Sequence, residues 1–124
     1  MIVETVRVSQ RARDHLIALK RHTKIENWNV LCRWALMASL KNPDRPSKEV
    51  TTPESNIEMT WRTFAGANDE VITALVMQRC VIDGIDPTPE KVAEEFKLHL
   101  HRGVRYLFAD KEIKSIADLV ELAL

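Results

Sequence analysis

Glycine, proline and cysteine are all scarce in this sequence. Its 124 residues include 3 Gly, 5 Pro and 2 Cys, a composition that indicates neither a disordered chain nor a disulfide-rich framework. Cys32 and Cys80 each lie within an apolar helical pattern, so we expect both to be buried free thiols. Apolar residues make up 45% and charged residues 29% of the chain, which is typical of globular proteins. We therefore predict a single domain over residues 1–124.

Long apolar runs are absent as well. The N-terminal stretch MIVETVRVSQRARD has no apolar core behind a basic start, so we expect no signal peptide. No run elsewhere approaches the roughly 20 apolar residues of a membrane-spanning helix. These features predict a cytoplasmic protein.

The usual patterns of metal and nucleotide sites are missing too. His99 and His101 are two residues apart, which on a helix turns them about 200° from each other. Neither a His-x-x-x-His nor a Cys-x-x-Cys pattern occurs. The three glycines, Gly66, Gly84 and Gly103, are too far apart to form a phosphate-binding loop, and we interpret each as lying at a turn or a helix boundary. We predict no metal ligands and no cofactor.

Two catalytic alternatives fit the residue types but not the spacing. Cys32 could act as a nucleophile beside Arg33, with a base drawn from the four histidines, which are His15, His22, His99 and His101. It lies in mid-helix rather than at a helix N-terminus, where thiolates are stabilised, so we expect it to pack in the core. Glu94 and Glu95 are adjacent and diverge on a helix. The sequence thus predicts no catalytic residues and a protein that is not an enzyme but works by binding.

The first 41 residues predict a strand followed by two helices. Residues 2–8 alternate, with Thr5 and Arg7 facing one side and Val6 and Val8 the other. Ser9 can cap a helix that runs to about His22. Asn27 can cap a second helix, NWNVLCRWALMASL, which is apolar on nearly all sides and should be central to the core.

The rest of the chain predicts a connection, an extended segment and three further helices. Residues 42–56 hold three prolines among polar residues and predict an exposed connection, and residues 57–64 alternate as a strand would. The helices are expected at 68–83, with an interior of Val71, Leu75, Val76, Cys80 and Val81, at 88–108 and at 115–124. Residues 57–124 then form a C-terminal helical part. The predicted fold class is mainly α, with a ribbon-helix-helix-like N-terminal part.

Charge is unevenly distributed although the net charge is zero. Residues 1–41 contain eight bases and three acids, a balance of +5, so the remainder carries −5. Arg13 and Lys20 are seven apart and point almost the same way on a helix, Lys24 would extend that stripe, and Arg21 flanks it. Such a stripe attracts phosphates irrespective of base sequence. The alternative is a solvated outer face that balances Asp14.

The order of strand, helix and helix is that of ribbon-helix-helix proteins, in which two chains pair their strands. A lone edge strand leaves backbone donors and acceptors unpaired, and an apolar second helix needs cover. We therefore expect a homo-oligomer, although the added C-terminal helices can cover part of this surface.

Three stretches carry a specific resemblance. LIALKRHTKIENWNVLCRWALMASL (16–40), Trp61-Arg62-Thr63-Phe64-x-Gly66 and His101-Arg102-Gly103 resemble the DndE family, the E component of the bacterial Dnd DNA phosphorothioation system. The resemblance covers nearly the whole chain. It implies a non-enzymatic homotetramer that binds duplex DNA, preferentially nicked, and works with the other Dnd modification proteins.

The resemblance also implies that surface bases carry the DNA contact. The matching candidates here are Arg11, Arg13, Lys20, Arg21 and Lys24. Lys24 stands where family members commonly have glycine, and lysine resists the positive φ that glycine tolerates, so the turn or a subunit contact is expected to be disturbed there.

Two other functions stay open. The first is an interaction subunit that scaffolds the other modification proteins through its acidic C-terminal part. The second is a ribbon-helix-helix-type transcriptional repressor, in which Thr5 and Arg7 read base edges in the major groove.

Overall fold

The computed structural model of the chain describes residues 1–48, 53–110 and 113–124. It is mainly helical, as predicted, with one antiparallel two-stranded sheet. The elements in chain order are β1 (Thr5–Ser9), α1 (Gln10–Thr23), α2 (Trp28–Lys41), β2 (Glu54–Thr60), α3 (Trp61–Ala65), a 3-10 turn (Gly66–Asn68), α4 (Asp69–Ile82), α5 (Pro89–Ala109) and α6 (Ile116–Ala123).

The strand and first helix form for the expected reasons. Val6 and Val8 of β1 point into the core while Thr5 and Arg7 point out. The Ser9 hydroxyl accepts a hydrogen bond from the Ala12 N–H at 3.1 Å and so caps α1. The Ser9 N–H in turn donates to Nε2 of His101 on α5 at 3.1 Å. The beginning of α1 is therefore fixed to α5 at a single residue.

The partner of β1 lies in the same chain, which corrects the expectation that its strand pairs with a second chain. β1 and β2 pair antiparallel, with Thr5 opposite Thr60 and Arg7 opposite Glu58. We expected an oligomer partly because a lone strand would leave its backbone groups unpaired. That reason is wrong, because β2 of the same chain forms hydrogen bonds with one edge of β1. The homo-oligomer itself stays a prediction.

The strand predicted at 57–64 is shifted towards the N-terminus. β2 is Glu54–Thr60, and the Thr60 hydroxyl then accepts from the Thr63 N–H at 3.1 Å and starts α3. Side-chain capping thus ended the alternating pattern earlier than the sequence suggested. The predicted connection 42–56 loses its last three residues to β2, and its residues 49–52 lie outside the described part of the chain.

Helices α2 and α5 cross in close contact at the centre of the core. A Cβ placed on Gly103 would lie 1.7 Å from the Ala35 carbonyl oxygen, so only glycine lets the two backbones approach this closely. Gly103 lies inside α5, and its interpretation as a boundary glycine is wrong. Gly84, with φ of 75°, ends α4 as expected.

Two buried arginines, Arg79 of α4 and Arg102 of α5, hold the chain that follows α2. We call them the arginine clamp. Arg79 donates to the carbonyl oxygens of Leu40, Asn42 and Asp44 at 2.7–3.0 Å. Arg102 donates to the Ser39 hydroxyl and carbonyl at 2.8 Å and to the Asp44 carbonyl at 2.6 Å. The clamp thus binds carbonyl groups of the last turn of α2, which a helix end leaves without intrahelical partners, and carbonyl groups of the chain that follows.

The interior predicted for α4 is wrong in three of its five members. Val76 and Cys80 are buried, together with Ile72, but Val71, Leu75 and Val81 are exposed to 59%, 43% and 62%. The helix is apolar on most sides, so periodicity could not tell its core face from its outer one. Across the described ranges, no helix combines the length and the apolar character needed to cross a membrane.

Candidate nucleic-acid interface

Helix α1 presents its polar side to solvent because a narrow apolar stripe fixes its other side. Ala12, Leu16 and Leu19 are each at most 4% exposed. They recur at intervals of four and three residues, which places them on one face of the helix. The orientation of every other α1 side chain follows from this anchor.

Arg13 and Lys20 share one flank of α1, as their spacing predicted. Two turns of helix separate them, or about 10 Å along the axis, and they point within about 20° of each other. Lys20 extends its ammonium over the ring of Trp28, the first residue of α2, at 4.5 Å from the ring centroid. This cation–π contact holds the lysine at the corner between α1 and α2.

Arg21 and Lys24 continue the positive charge around the end of α1. Both are exposed, and Arg21 is turned about 100° from Lys20 on the helix. Lys24 lies just past the last helical residue, Thr23, at the helix end next to Lys20. We call Arg13, Lys20, Arg21 and Lys24 the basic surface.

The turn after α1 forms with lysine in the position that favours glycine. Lys24 has φ of 63° and ψ of 12°, a left-handed conformation, and its N–H donates to the Lys20 carbonyl at 3.0 Å. The expectation that lysine disturbs this turn is wrong for the backbone path. The strain of a left-handed residue with a side chain is about 1–2 kcal/mol.

Arg11, the fifth candidate, lies apart from the other four. On the helix it points about 160° away from Arg13. It shares its side of α1 with His15, whose ring stacks on Phe108 of α5, with centroids 4.0 Å apart and planes 8° from parallel. We call Arg11, His15, Arg105 and Phe108 the aromatic flank. Helical spacing alone relates Arg11 to His15, but no sequence signal places Phe108 beside them.

The pKa of His15 is lowered in this setting. Burial is the largest cause, followed by the positive charge of Arg11, while Asp14 acts in the opposite direction and Arg105 adds to the lowering. The neutral imidazole is therefore the favoured form at the aromatic flank, and it stacks on Phe108 without bringing a further charge.

The acids that the structure describes leave the basic surface nearly uncompensated. Within residues 1–48, 53–110 and 113–124, one ion pair involves its members, between Arg13 and Asp14 at 3.8 Å. The ribbon is different, because Arg7 binds the carboxylates of Glu54 and Glu58. Lys97 of α5 also pairs with Glu54 at 3.6 Å. A phosphate therefore meets unbalanced positive charge at α1 and paired charges at the ribbon.

The two cysteines are free and buried. Burial raises the pKa of the Cys32 thiol to about 12, against a smaller lowering by Arg33. Cys32 is therefore a protonated, packed thiol at neutral pH. In the part of the chain that the structure describes, no cluster of three or more His, Cys, Asp or Glu side chains could hold a metal ion.

The fold and its basic surface define a class, a mainly helical domain with a short ribbon and a cation-bearing first helix. Comparison with known proteins makes this specific. The profile of the DNA sulphur modification protein DndE family matches residues 5–115, and the chain belongs to that family.

A solved structure supports the same fold. The crystal structure of DndE from Escherichia coli B7A, described as involved in DNA phosphorothioation modification, matches with a TM-score of 0.69 and 17% identity. The match covers 86% of this chain and 98% of that chain. Among curated proteins there is no match.

Proposed function

We propose that this chain is a non-catalytic DNA-binding component of a DNA phosphorothioation system. It binds duplex DNA, nicked in its preferred form, through the bases of α1, and it acts without a cofactor beside the other Dnd modification proteins. Family membership supports the setting. The basic surface supports the DNA contact.

The observation that carries the proposal is the concentration of bases on one helix and its end, where Arg11, Arg21 and Lys24 are exposed and Arg13 and Lys20 are partly buried. Residues 10–24 contain five bases and one acid. Bases on an exposed helix bind phosphates and release their counterions, which gives affinity without sequence preference. Arg13 and Lys20 are separated by about 10 Å along the helix axis, so the two side chains can contact separate phosphates of one duplex.

A binding role also agrees with the burial and the pKa values of Cys32 and His99, two residues whose types are suited to catalysis. The Cys32 thiol is fully buried with a raised pKa. His99 is buried against Ser39 and the arginine clamp, and burial lowers its pKa to about 4. Neither group is placed to meet a substrate as a nucleophile or base.

A salt titration tests the DNA contact. Binding of a nicked duplex and of the intact duplex is measured from low to high salt by fluorescence anisotropy. Each phosphate contact contributes about −0.9 to the slope of log affinity against log salt, so R13A/K20A should lower the magnitude of the slope by about 2. The control K91A/K114A removes two exposed lysines from outside the basic surface and should leave the slope unchanged. A flat salt response of the unaltered protein would remove the proposal.

We propose further that the protein assembles as a homotetramer, which would repeat the basic surface across subunits. The turn at Lys24 keeps its left-handed conformation, so the backbone of this turn does not oppose assembly. Light scattering with and without nicked DNA measures the mass directly. A monomer under both conditions would contradict this part of the proposal.

A second candidate is an interaction subunit that recruits the other modification proteins through its acidic C-terminal part. The outer face of α4 favours it, because Val71, Val81 and Ile82 are exposed to 59%, 62% and 70% on a helix where glutamate is the only fully exposed charge. Exposed apolar faces of this kind mark protein contacts.

Purified Dnd partner proteins separate the two candidates. The intact chain and a Val81→Glu variant are compared in pull-down and in DNA binding. Loss of the partner with DNA binding retained assigns α4 to the partner. Retention of the partner by both would remove this candidate.

The repressor alternative is not favoured by the geometry. Arg7, the residue expected to read bases, is bound by the carboxylates of Glu54 and Glu58. Reading a base edge would require breaking both ion pairs and placing two carboxylates next to the DNA.

A further inference from the structure

We propose that the aromatic flank is a binding site for an unpaired nucleobase, distinct from the phosphate contacts of the basic surface. This inference rests on the proposed DNA-binding function and adds what the protein recognises besides the phosphate backbone.

Phe108 supplies a stacking surface that is already positioned. Phe108 is 47% exposed although it belongs to a helix packed in the core. One face of its ring lies on His15, with 4.0 Å between centroids and nearly parallel planes, so a further ring can approach only from the opposite face or the edge. A third aromatic ring can extend this stack, because nucleobases stack on aromatic side chains irrespective of their identity.

Two arginines stand beside the stack. Arg11 lies one turn before His15 on α1, and Arg105 lies three residues before Phe108 on α5, both spacings that make neighbours on a helix. The charges of both arginines act on the pKa of His15, Arg11 more than Arg105, and the opposite charge of Asp14 acts between them in size. A base stacked on Phe108 would bring its own phosphates within the field of these cations.

The same charges argue against a second copy of this chain as the occupant. A symmetric contact would place one aromatic flank against another and bring the exposed Arg11 of each copy close together. A single-stranded or gapped nucleic acid satisfies both features together, because aromatic rings interleaved with bases are the pattern of single-strand recognition. A base inside an intact duplex cannot reach Phe108 without unstacking, so the site selects for unpaired bases.

The test uses a duplex with a one-nucleotide gap and 2-aminopurine in the template strand opposite the gap, beside the intact duplex of the same sequence. Phe108→Leu removes the aromatic ring at an exposed position, and Phe108→Tyr is the matched control that retains it. We expect the unaltered protein and F108Y to prefer the gapped duplex and to quench 2-aminopurine. F108L should lose about tenfold in affinity for the gapped duplex and keep its affinity for the intact one.

The outcomes separate this inference from the proposed function. If no variant binds DNA in a salt-dependent manner, the proposed function fails and this inference with it. If all bind the intact duplex but F108L keeps the full gap preference and quenching, only this inference is overturned. A lower mass of F108L by light scattering, with gap preference unchanged, would also overturn it, because Phe108 would then belong to a subunit contact.

Discussion

The bases of this protein fall into two regions that use the same charge in opposite ways. In the arginine clamp, Arg79 and Arg102 are 7% and 4% exposed and donate to carbonyl oxygens of the chain after α2. On α1, Arg13, Lys20 and Arg21 keep their charges at the surface with little opposing charge nearby. A guanidinium that the fold has already bound cannot bind a phosphate, so position rather than residue type separates structure from function.

The comparison also sorts the eight bases of residues 1–41. Arg7 binds carboxylates, Arg33 donates to the Phe64 carbonyl at 2.7 Å, and Lys41 donates to the Leu122 carbonyl at 2.8 Å. Removing these three from the eight leaves the five that we assign to DNA. The positive balance of the N-terminal part therefore overstates the charge that a ligand can use.

The largest expected loss of stability follows from a substitution in the arginine clamp. Arg102→Met removes three charge-assisted hydrogen bonds, to the Ser39 hydroxyl and carbonyl and to the Asp44 carbonyl, so the free energy of unfolding should fall by about 4 kcal/mol. Arg21→Met, the matched change on the surface, should alter it by less than about 0.5 kcal/mol. Urea unfolding measures both. Equal losses would erase the distinction between the two regions.

A substitution at Gly103, where α2 and α5 cross beside the arginine clamp, should lower the stability by nearly as much. Gly103→Ala adds a Cβ that meets the Ala35 carbonyl at 1.7 Å, and separating the two backbones should cost about 3 kcal/mol. Thermal unfolding measures the loss. An exposed control, Gly84→Ala, meets nothing within 4 Å but has a positive φ, so it should cost only about 1 kcal/mol. Tolerance of alanine at Gly103 would contradict the close approach.

Acid should lower the free energy of unfolding through His99, which is buried beside the arginine clamp. His99 has its pKa lowered from 6.5 to about 4, mainly by burial and then by Arg102 and Arg79. In the unfolded chain it binds a proton near pH 6.5, so the folded state loses stability as pH falls from about 6.5 towards 4, by about 3 kcal/mol. Urea midpoints at pH 7 and pH 4 measure the change. His99→Gln should have a smaller difference between the two pH values, and an unchanged difference would show that His99 is not the cause.

Controls aside, the smallest change in stability is expected at Lys24, where the sign reverses. Lys24→Gly relieves a left-handed residue, so stability should rise by up to about 1 kcal/mol after the entropy of glycine in the unfolded chain is counted. The salt slope of DNA binding should fall by about 0.9 at the same time. Thermal unfolding and anisotropy measure the two effects on one sample. A loss of stability would contradict the strain, and an unchanged slope would remove Lys24 from the interface.

Local signals predicted much of the fold. Ser9, Thr88 with Pro89, and Gly84 mark helix ends where the structure has them, because capping and left-handed stops depend on neighbouring residues alone. The pairing of β1 with β2 depends on residues some fifty positions apart, and sequence spacing carries no information about it. The exposed face of α4 could not be predicted, because a helix with apolar residues on most sides does not show which side packs in the core.

In the candidate site, too, relations within one helix could be predicted from the sequence, whereas contacts between helices could not. Arg13 and Lys20 could be placed together because helical periodicity fixes their relation once Leu16 and Leu19 are inside. Phe108 joins His15 only through the packing of α5 on α1. The arginine clamp was not predicted either. Arginine is rarely buried, and its partners are backbone carbonyl groups, which every residue has, so no residue pattern indicates them.

The bond from the Ser9 N–H to His101 has a mechanical consequence. It joins Ser9, the residue that caps α1, to α5. If α1 contacts DNA as we propose, a pull on the bound polymer is passed to α5 through this bond as well as through the packing of α1. Tension on that DNA should then be resisted by α1 and α5 together rather than by α1 alone.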